Sequence, residues 1–170
     1  MKKYFNVILT LTFCIVLAKG SYAQELKTEY IMEMNLSLNP PVVVGSRVLY
    51  SWSEGTIIGE INGKILPVGA EFGTVMNATT YKLDVRAVIQ TNDSAIIYIT
   101  YSGYIFTDAE TFKLLASGKG AEVNPSKYYY RSNPMFETTS PKYEWLNHIV
   151  AIGVGSFTKT GVSYKIYAIK

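Results

Sequence analysis

Most of the chain alternates between apolar and polar residues, which is the pattern of β-strands that bury one face. Residues 25–38 show it clearly, because apolar residues occupy one face and mainly charged or polar residues the other, with Ile31 as the exception. Similar runs flank the pair Asn62-Gly63, a strong hairpin signal, and the turns at Asn92-Asp93 and residues 159–161. The pattern predicts about eight or nine antiparallel strands joined by short turns.

One short helix interrupts this pattern. Thr107-Asp108-Ala109-Glu110 fits a capping box, residues 110–117 follow it, and Gly118 can end the helix. No internal repeat or linker marks a second domain, so we expect a single all-β domain over residues 24–170. Either a closed antiparallel barrel or a sandwich fits this set of elements.

Two of the predicted strands, residues 95–99 and 148–154, are apolar on both faces. In a barrel, one face of such a strand fills the lumen, while the helix, a loop or another subunit covers the other. This favours a homo-oligomer, because large exposed apolar patches are uncommon on monomers.

The first 23 residues have the layout of a secretory signal peptide. Lys2 and Lys3 precede an apolar run over residues 5–18, and Ser21-Tyr22-Ala23 places small residues at the cleavage positions. The apolar run is shorter than the ~20 residues that a membrane-spanning helix needs. We therefore expect cleavage after Ala23 and a secreted or periplasmic protein.

Removal of this leader changes the charge balance. The leader contains three lysines and no acid, so 13 of the 16 basic residues remain against 13 acidic ones. Without net charge, the mature chain has no general attraction for nucleic acid or for a membrane surface. The leader also contains Cys14, the single cysteine, so the mature protein cannot form disulfides.

Four stretches of the mature chain carry a family resemblance. They are residues 55–72, 81–99, 124–138 and 142–155, and their most specific pieces are Leu-Asp-x-Arg, Tyr-x-Arg and Tyr-x-Trp-Leu-Asn. In order and spacing, the chain resembles the domain-of-unknown-function 3237 family, also called uncharacterised protein family 0311, from about Tyr30 to Ile169. The resemblance implies a closed antiparallel barrel, similar to calycin or allene-oxide-cyclase barrels and often self-associating. Where the family usually has Asp-Trp, this chain has Glu71-Phe72, a departure that we expect to affect a pocket wall.

The composition of the mature chain excludes several kinds of chemistry. His148 is the single histidine and no cysteine remains, which argues against zinc or copper sites. A catalytic triad would need His148, but no Gly-x-Ser-x-Gly elbow accompanies it. We expect neither a metal nor a cofactor.

Polar residues on otherwise apolar strands form the candidate site. Asp84 and Arg86 share one strand face, Arg131 follows three tyrosines, and Trp145 and Asn147 share a face of the next predicted strand. If these faces converge in the lumen, they form an aromatic cavity with a few fixed hydrogen-bonding groups. The candidate ligand-binding residues are Asp84, Arg86, Tyr130, Arg131, Tyr143, Trp145 and Asn147.

Three functions stay open on the sequence. The first is binding of a small, partly aromatic or anionic molecule in the lumen. The second is a cofactor-free lyase, isomerase or cyclase, with arginines stabilising an anion and Asp84 or a tyrosine transferring protons. The third is a structural protein with a filled barrel, in which Asp84 and Arg86 are a buried ion pair.

Overall fold

Ten β-strands account for most of residues 25–170, the part of the chain that the computed structural model describes. The strands are β1 (Thr28–Leu38), β2 (Val42–Val44), β3 (Arg47–Tyr50), β4 (Trp52–Gly59), β5 (Gly63–Asn77), β6 (Thr80–Thr91), β7 (Ile96–Thr107), β8 (Tyr128–Glu137), β9 (Ala151–Phe157) and β10 (Gly161–Ile169). The helices are α1 (Ala109–Ala116) and three short 3-10 helices at Gly120–Glu122, Pro125–Lys127 and Glu144–His148. The predicted signal peptide lies outside the described residues.

Eight of the strands close into an antiparallel barrel. Their order is β5-β4-β1-β10-β9-β8-β7-β6, and pairing of β6 with β5 completes the circle. The short strands β2 and β3 form a hairpin, and β3 adds it to the later half of β5. The predicted barrel is therefore confirmed, and the sandwich alternative is wrong.

The alternation in β1 breaks at Ile31 because the strand contains an irregularity there. The pairing of β1 with β10 shifts register between Tyr30 and Met32. A bulge sets an extra residue against the partner strand and changes which face the following residues occupy. Ile31 and Met32 are consequently both buried in the core.

The two ends of the barrel differ. One end, which we call the helix end, contains α1, the β9–β10 turn and the chain that leaves β1. The last two are joined there by a 2.9 Å hydrogen bond from the Leu38 backbone N–H to the Thr160 carbonyl. At the other end, which we call the loop end, the β4–β5 and β6–β7 turns meet through a 2.9 Å bond from the Asn92 amide to the Asn62 carbonyl. The long β8–β9 connection also lies at the loop end, since β8 and β9 respectively finish and begin there.

The predicted helix is confirmed as α1. Its N-cap is Asp108, whose carboxylate accepts hydrogen bonds from the Glu110 and Thr111 amides, and Gly118 follows its end with a φ of 81°. No residue of α1 is fully buried, although Phe112 and Leu115 pack against the core. Among residues 25–170, none of the helices has the length and apolar character that crossing a bilayer requires.

Candidate ligand-binding site

A cavity of about 540 Å³ opens at the helix end and reaches into the barrel. Much of its apolar wall comes from four barrel strands and from α1. These residues are Val75, Ile105, Phe112, Leu115, Phe157 and Val162. Pro40, Pro41 and Lys159 also line the cavity, from the chain that leaves β1 and from the β9–β10 turn. The barrel therefore is not completely filled by its own side chains.

Glu71 is the single acidic residue of the cavity wall. It lies on β5, is 7% exposed, and its Oε1 atom has no hydrogen-bond partner within the described residues. Burial raises the pKa of this carboxyl from an ordinary value of 4.5 to about 7. A buried carboxyl without a full set of partners is costly, and such groups are over-represented at functional sites.

Three tyrosines line the same cavity, namely Tyr50, Tyr81 and Tyr130. The Tyr81 hydroxyl is close enough to Glu71 for the two groups to affect each other: burial raises the pKa of Tyr81 well above its usual range, and the nearby carboxyl raises it further. Gly73 makes this placement possible, because a Cβ atom at this position would overlap the Tyr81 hydroxyl. The backbone of β5 thus leaves room for a phenol beside the carboxyl.

Deeper aromatic residues support this wall. The Tyr130 and Tyr164 hydroxyls form a 2.5 Å hydrogen bond inside the barrel, and their rings meet edge to face. Gly155 lies under the Tyr130 ring, where a Cβ atom would come within 2.6 Å of it. Because their hydroxyls satisfy each other, these two tyrosines are firmly placed and present mainly ring surface.

Asp84 and Arg86 lie on the outer face of the barrel, so the expectation that they converge in the lumen is wrong. On β6 the alternate residues Leu83 and Val85 are buried, and the polar residues between them face solvent. Arg86 donates a 2.7 Å hydrogen bond to Asp84, and the two side chains are 51% and 44% exposed. The pair is therefore a surface ion pair, and the alternative of a buried ion pair is also wrong.

Arg131 also faces outward, in contrast to its neighbour Tyr130. Its guanidinium lies 5.2 Å from the centre of the Tyr129 ring and donates to the Tyr130 carbonyl. Along β8 the even-numbered positions are buried and the odd-numbered ones are not. The run of three tyrosines therefore divides between the two faces of the barrel, and the arginine stacks on the outer one.

Tyr143, Trp145 and Asn147 lie at the loop end, away from the cavity. They belong to the β8–β9 connection, where a 3-10 helix replaces the predicted strand, and β9 begins only at Ala151. The side-chain oxygen of Asn147 accepts a hydrogen bond from the Thr138 backbone N–H, and its side-chain NH₂ donates one to the Thr138 carbonyl, both over 2.9 Å. Asn147 thus fastens its own loop.

Tyr143 has a similar fastening role. Its hydroxyl donates to the Asp93 carboxylate over 3.0 Å, and Lys142 donates to the same carboxylate over 2.6 Å. Trp145 is 37% exposed and borders a smaller cavity of about 210 Å³ beside Ile31. Of the seven candidate residues, only Tyr130 lines the large cavity.

Glu71 is not among the site residues predicted from the sequence. Pro67 and Gly69 interrupt the alternation before it, and the register of β5 against β6 shifts between Ile65 and Gly69. The signal that could have found it is the departure at Glu71-Phe72 from the family pattern, which changes a residue now seen in the cavity wall. Within residues 25–170, no three histidine, cysteine or acidic side chains are grouped as a metal site would require.

The sequence of the chain matches one protein family over nearly all of the residues that the structure describes. The family model described as "Protein of unknown function (DUF3237)" matches residues 26–169. The chain belongs to this family. A UPF0311 protein of Clostridium acetobutylicum is 31% identical over 153 residues, which cover 86% of this chain and 96% of that protein. The resemblance inferred from the sequence is therefore confirmed for the DUF3237 family.

Solved structures of similar proteins agree with the barrel. A conserved protein of unknown function from Rhodopseudomonas palustris superposes with a TM-score of 0.82 at 26% identity, covering 87% of this chain and 99% of its own. A beta-barrel like protein from Acinetobacter baumannii gives 0.75 at 33% identity, covering 88% and 99%. Both proteins thus share this fold along nearly their whole length.

Proposed function

We propose that this DUF3237 protein binds one small, neutral, partly aromatic molecule in the cavity at the helix end. The observation that carries the proposal is the cavity itself, which combines a mainly apolar wall with one buried carboxyl that has a free oxygen. Small-molecule sites are typically ~300–1,000 Å³ and have few polar groups in an apolar lining. The volume of about 540 Å³ falls inside that range.

The charges around the cavity favour a neutral ligand over an anionic one. Arg86 and Arg131 lie on the outer face of the barrel, so neither arginine lines the wall. The charged residues that line it are Glu71 and Lys159, the latter in the β9–β10 turn. An ionised Glu71 would repel an anion, whereas it would accept a hydrogen bond from an N–H or O–H group of a neutral ligand.

Binding of the neutral fluorescent probe N-phenyl-1-naphthylamine tests this proposal. It offers two aromatic ring systems to the wall and one N–H donor to Glu71. We expect saturable binding with one probe per chain, seen as enhanced probe fluorescence. Native mass spectrometry of freshly purified protein should also detect a co-purifying small molecule.

Two substitutions on the same strand make the test specific. Val75→Phe places a larger side chain in the cavity wall and should abolish probe binding. Val68→Phe makes the same change on β5 at a residue that is exposed and does not line the cavity, so binding should be unaffected. Equal binding by both variants would show that the probe occupies another surface.

We also propose that the protein is exported and that residues 1–23 are removed on the way. The support is the basic, apolar and small-residue order of the leader. N-terminal sequencing of the protein recovered outside the cytoplasm should begin at Gln24. Recovery with Met1 in place would contradict export by this route.

A second copy of the chain is the partner that we propose, with contact at β2. This strand is the edge of the sheet, and its three valines are 62–64% exposed. An edge strand offers unpaired backbone groups, so two copies can pair edge to edge and cover these valines. Val43→Asp should then yield monomers in sedimentation velocity, while Ile58→Asp, on exposed β4 surface, should not. A wild-type monomer at tens of micromolar would reject the proposal.

A further inference from the structure

We propose that Glu71 is a catalytic base and that the Tyr81 hydroxyl donates a hydrogen bond to the substrate oxygen, so that the cavity moves a proton on a bound carbonyl compound. This inference rests on the proposed binding function and extends it to a reaction. Its basis is geometric: a buried carboxyl with an unpartnered oxygen and a phenol beside it both line a cavity that is open to small molecules.

The placement of the two groups is built into the fold. Glu71 and Gly73 both point inward from β5, and Tyr81 lies at the start of the neighbouring strand β6. The missing side chain of Gly73 creates the space that the Tyr81 hydroxyl occupies. The hydroxyl's other contact is a long 3.4 Å hydrogen bond to the Val48 carbonyl, so its proton is only weakly held elsewhere.

The reaction that these groups support needs no other reactant. The Glu71 carboxylate takes a proton from the carbon next to the carbonyl, and the electron pair of that C–H bond forms a carbon–carbon double bond. The carbonyl π electrons move to the oxygen, which accepts a hydrogen bond from the Tyr81 hydroxyl. Glu71 then returns a proton, either the one that it removed or one exchanged with the solvent that reaches the open cavity, to the same carbon or to a conjugated one. This restores the carbonyl and leaves both residues unchanged.

Glu71 is suited to this role at neutral pH. A base works best when its pKa lies near the working pH, and burial raises the pKa of Glu71 to about 7. Two titratable groups act on its pKa besides burial: the Tyr81 hydroxyl, which lowers it, and the Asp84 carboxylate on the outer face, which raises it. The other phenols near it are Tyr50, Tyr101, Tyr130 and Tyr164, and burial raises the pKa of each. Activity should therefore rise with pH through about pH 7, following the carboxylate.

Deuterium exchange of 2-tetralone provides the test. This neutral, partly aromatic ketone has acidic protons next to its carbonyl, and their loss in heavy water is visible by proton NMR. The full mature protein should accelerate exchange over buffer. Glu71→Gln should lower the enzyme-dependent rate by about a hundredfold or more, the usual range for acid–base residues. Tyr81→Phe, which removes the hydrogen bond to the substrate oxygen, should also lower it by about a hundredfold.

Matched controls separate chemistry from folding and from binding. Glu71→Asp keeps a carboxyl on a shorter stem and should retain partial activity, and Arg86→Met on the outer face should behave as wild type. Calorimetric titration measures binding of 2-tetralone independently of exchange. Binding without accelerated exchange, or equal exchange by wild type and Glu71→Gln, would overturn this inference and leave the proposed binding function intact. Absence of 2-tetralone binding would overturn this inference, and absence of N-phenyl-1-naphthylamine binding as well would overturn the proposed binding function too.

Discussion

The buried carboxyl of Glu71 should make the stability of this protein depend on pH in a direction that is unusual for an acidic residue. Its folded-state pKa is about 7, whereas the same group in the unfolded chain titrates near 4.5. Folding is therefore opposed when the carboxyl is charged. The penalty is absent below about pH 4.5, grows as the pH rises, and is complete above about pH 7.

The size of this penalty follows from the gap between the two pKa values. A separation from 4.5 to about 7 corresponds to about 3 kcal/mol, at about 1.4 kcal/mol for each pH unit. That is a large part of the ~5–15 kcal/mol that stabilises a typical domain. Glu71→Gln removes the ionisation and nearly preserves the shape, so the stabilisation that it gives should be absent below about pH 4.5 and complete above about pH 7.

Urea unfolding of the ligand-free wild type and Glu71→Gln proteins measures the effect. Trp52 is a suitable fluorescent reporter, since it is 4% exposed and donates a 2.7 Å hydrogen bond to the Leu66 carbonyl. The free energy of unfolding of the variant, minus that of the wild type, should increase by about 3 kcal/mol between about pH 4 and about pH 8. Other titrating groups cancel in this difference. If the difference is the same at both pH values, Glu71 is not a buried, charge-disfavoured carboxyl and the reasoning fails.

Other parts of the molecule give three further predictions. Arg86→Met should change the free energy of unfolding by at most about 1 kcal/mol and leave probe binding intact, because it removes an exposed ion pair. A loss of several kcal/mol in urea unfolding would contradict the outward placement of Arg86. Gly155→Ala should destabilise the protein by about 1–3 kcal/mol in the same assay, because its methyl group would press on the Tyr130 ring, and a neutral result would show that the ring moves freely. Hydrogen bonding, chiefly from Lys142, holds the pKa of Asp93 below its usual range, so this fastening is present at neutral pH and is lost as the pH falls through the folded-state value. Asp93→Asn should accordingly speed amide hydrogen exchange in residues 138–148 at neutral pH, and unchanged exchange there would show that Asp93 does not hold the loop.

The strands and their faces could be predicted because alternation is a local property of the sequence. It placed Asp84 and Arg86 together on one face of β6, opposite Leu83 and Val85, and the structure agrees on that division. The error was in assigning the polar face to the lumen. In a small barrel the apolar face turns inward, because the interior is the core of the protein.

The site could be predicted far less well because it depends on long-range pairing. Glu71 and Tyr81 come together through the register of β5 against β6, which contains two shifts that no local pattern reveals. Likewise, Trp145 and Asn147 keep a spacing of two, which fits a strand, but hydrogen bonds between Asn147 and Thr138 close the connection into a compact loop. Side-chain bonds of this kind compete with the sheet ladder for the backbone.

The contrast between the two ends of the barrel has a consequence for how this scaffold can diversify. The loop end is held by side-chain hydrogen bonds among its own connections, whereas α1 at the helix end buries none of its residues completely. Changes at the exposed residues of α1 therefore cost little folding energy, while they alter the surroundings of the cavity entrance. Selection, or a protein engineer, can therefore change the shape of this entrance without disturbing the closed sheet that supports it.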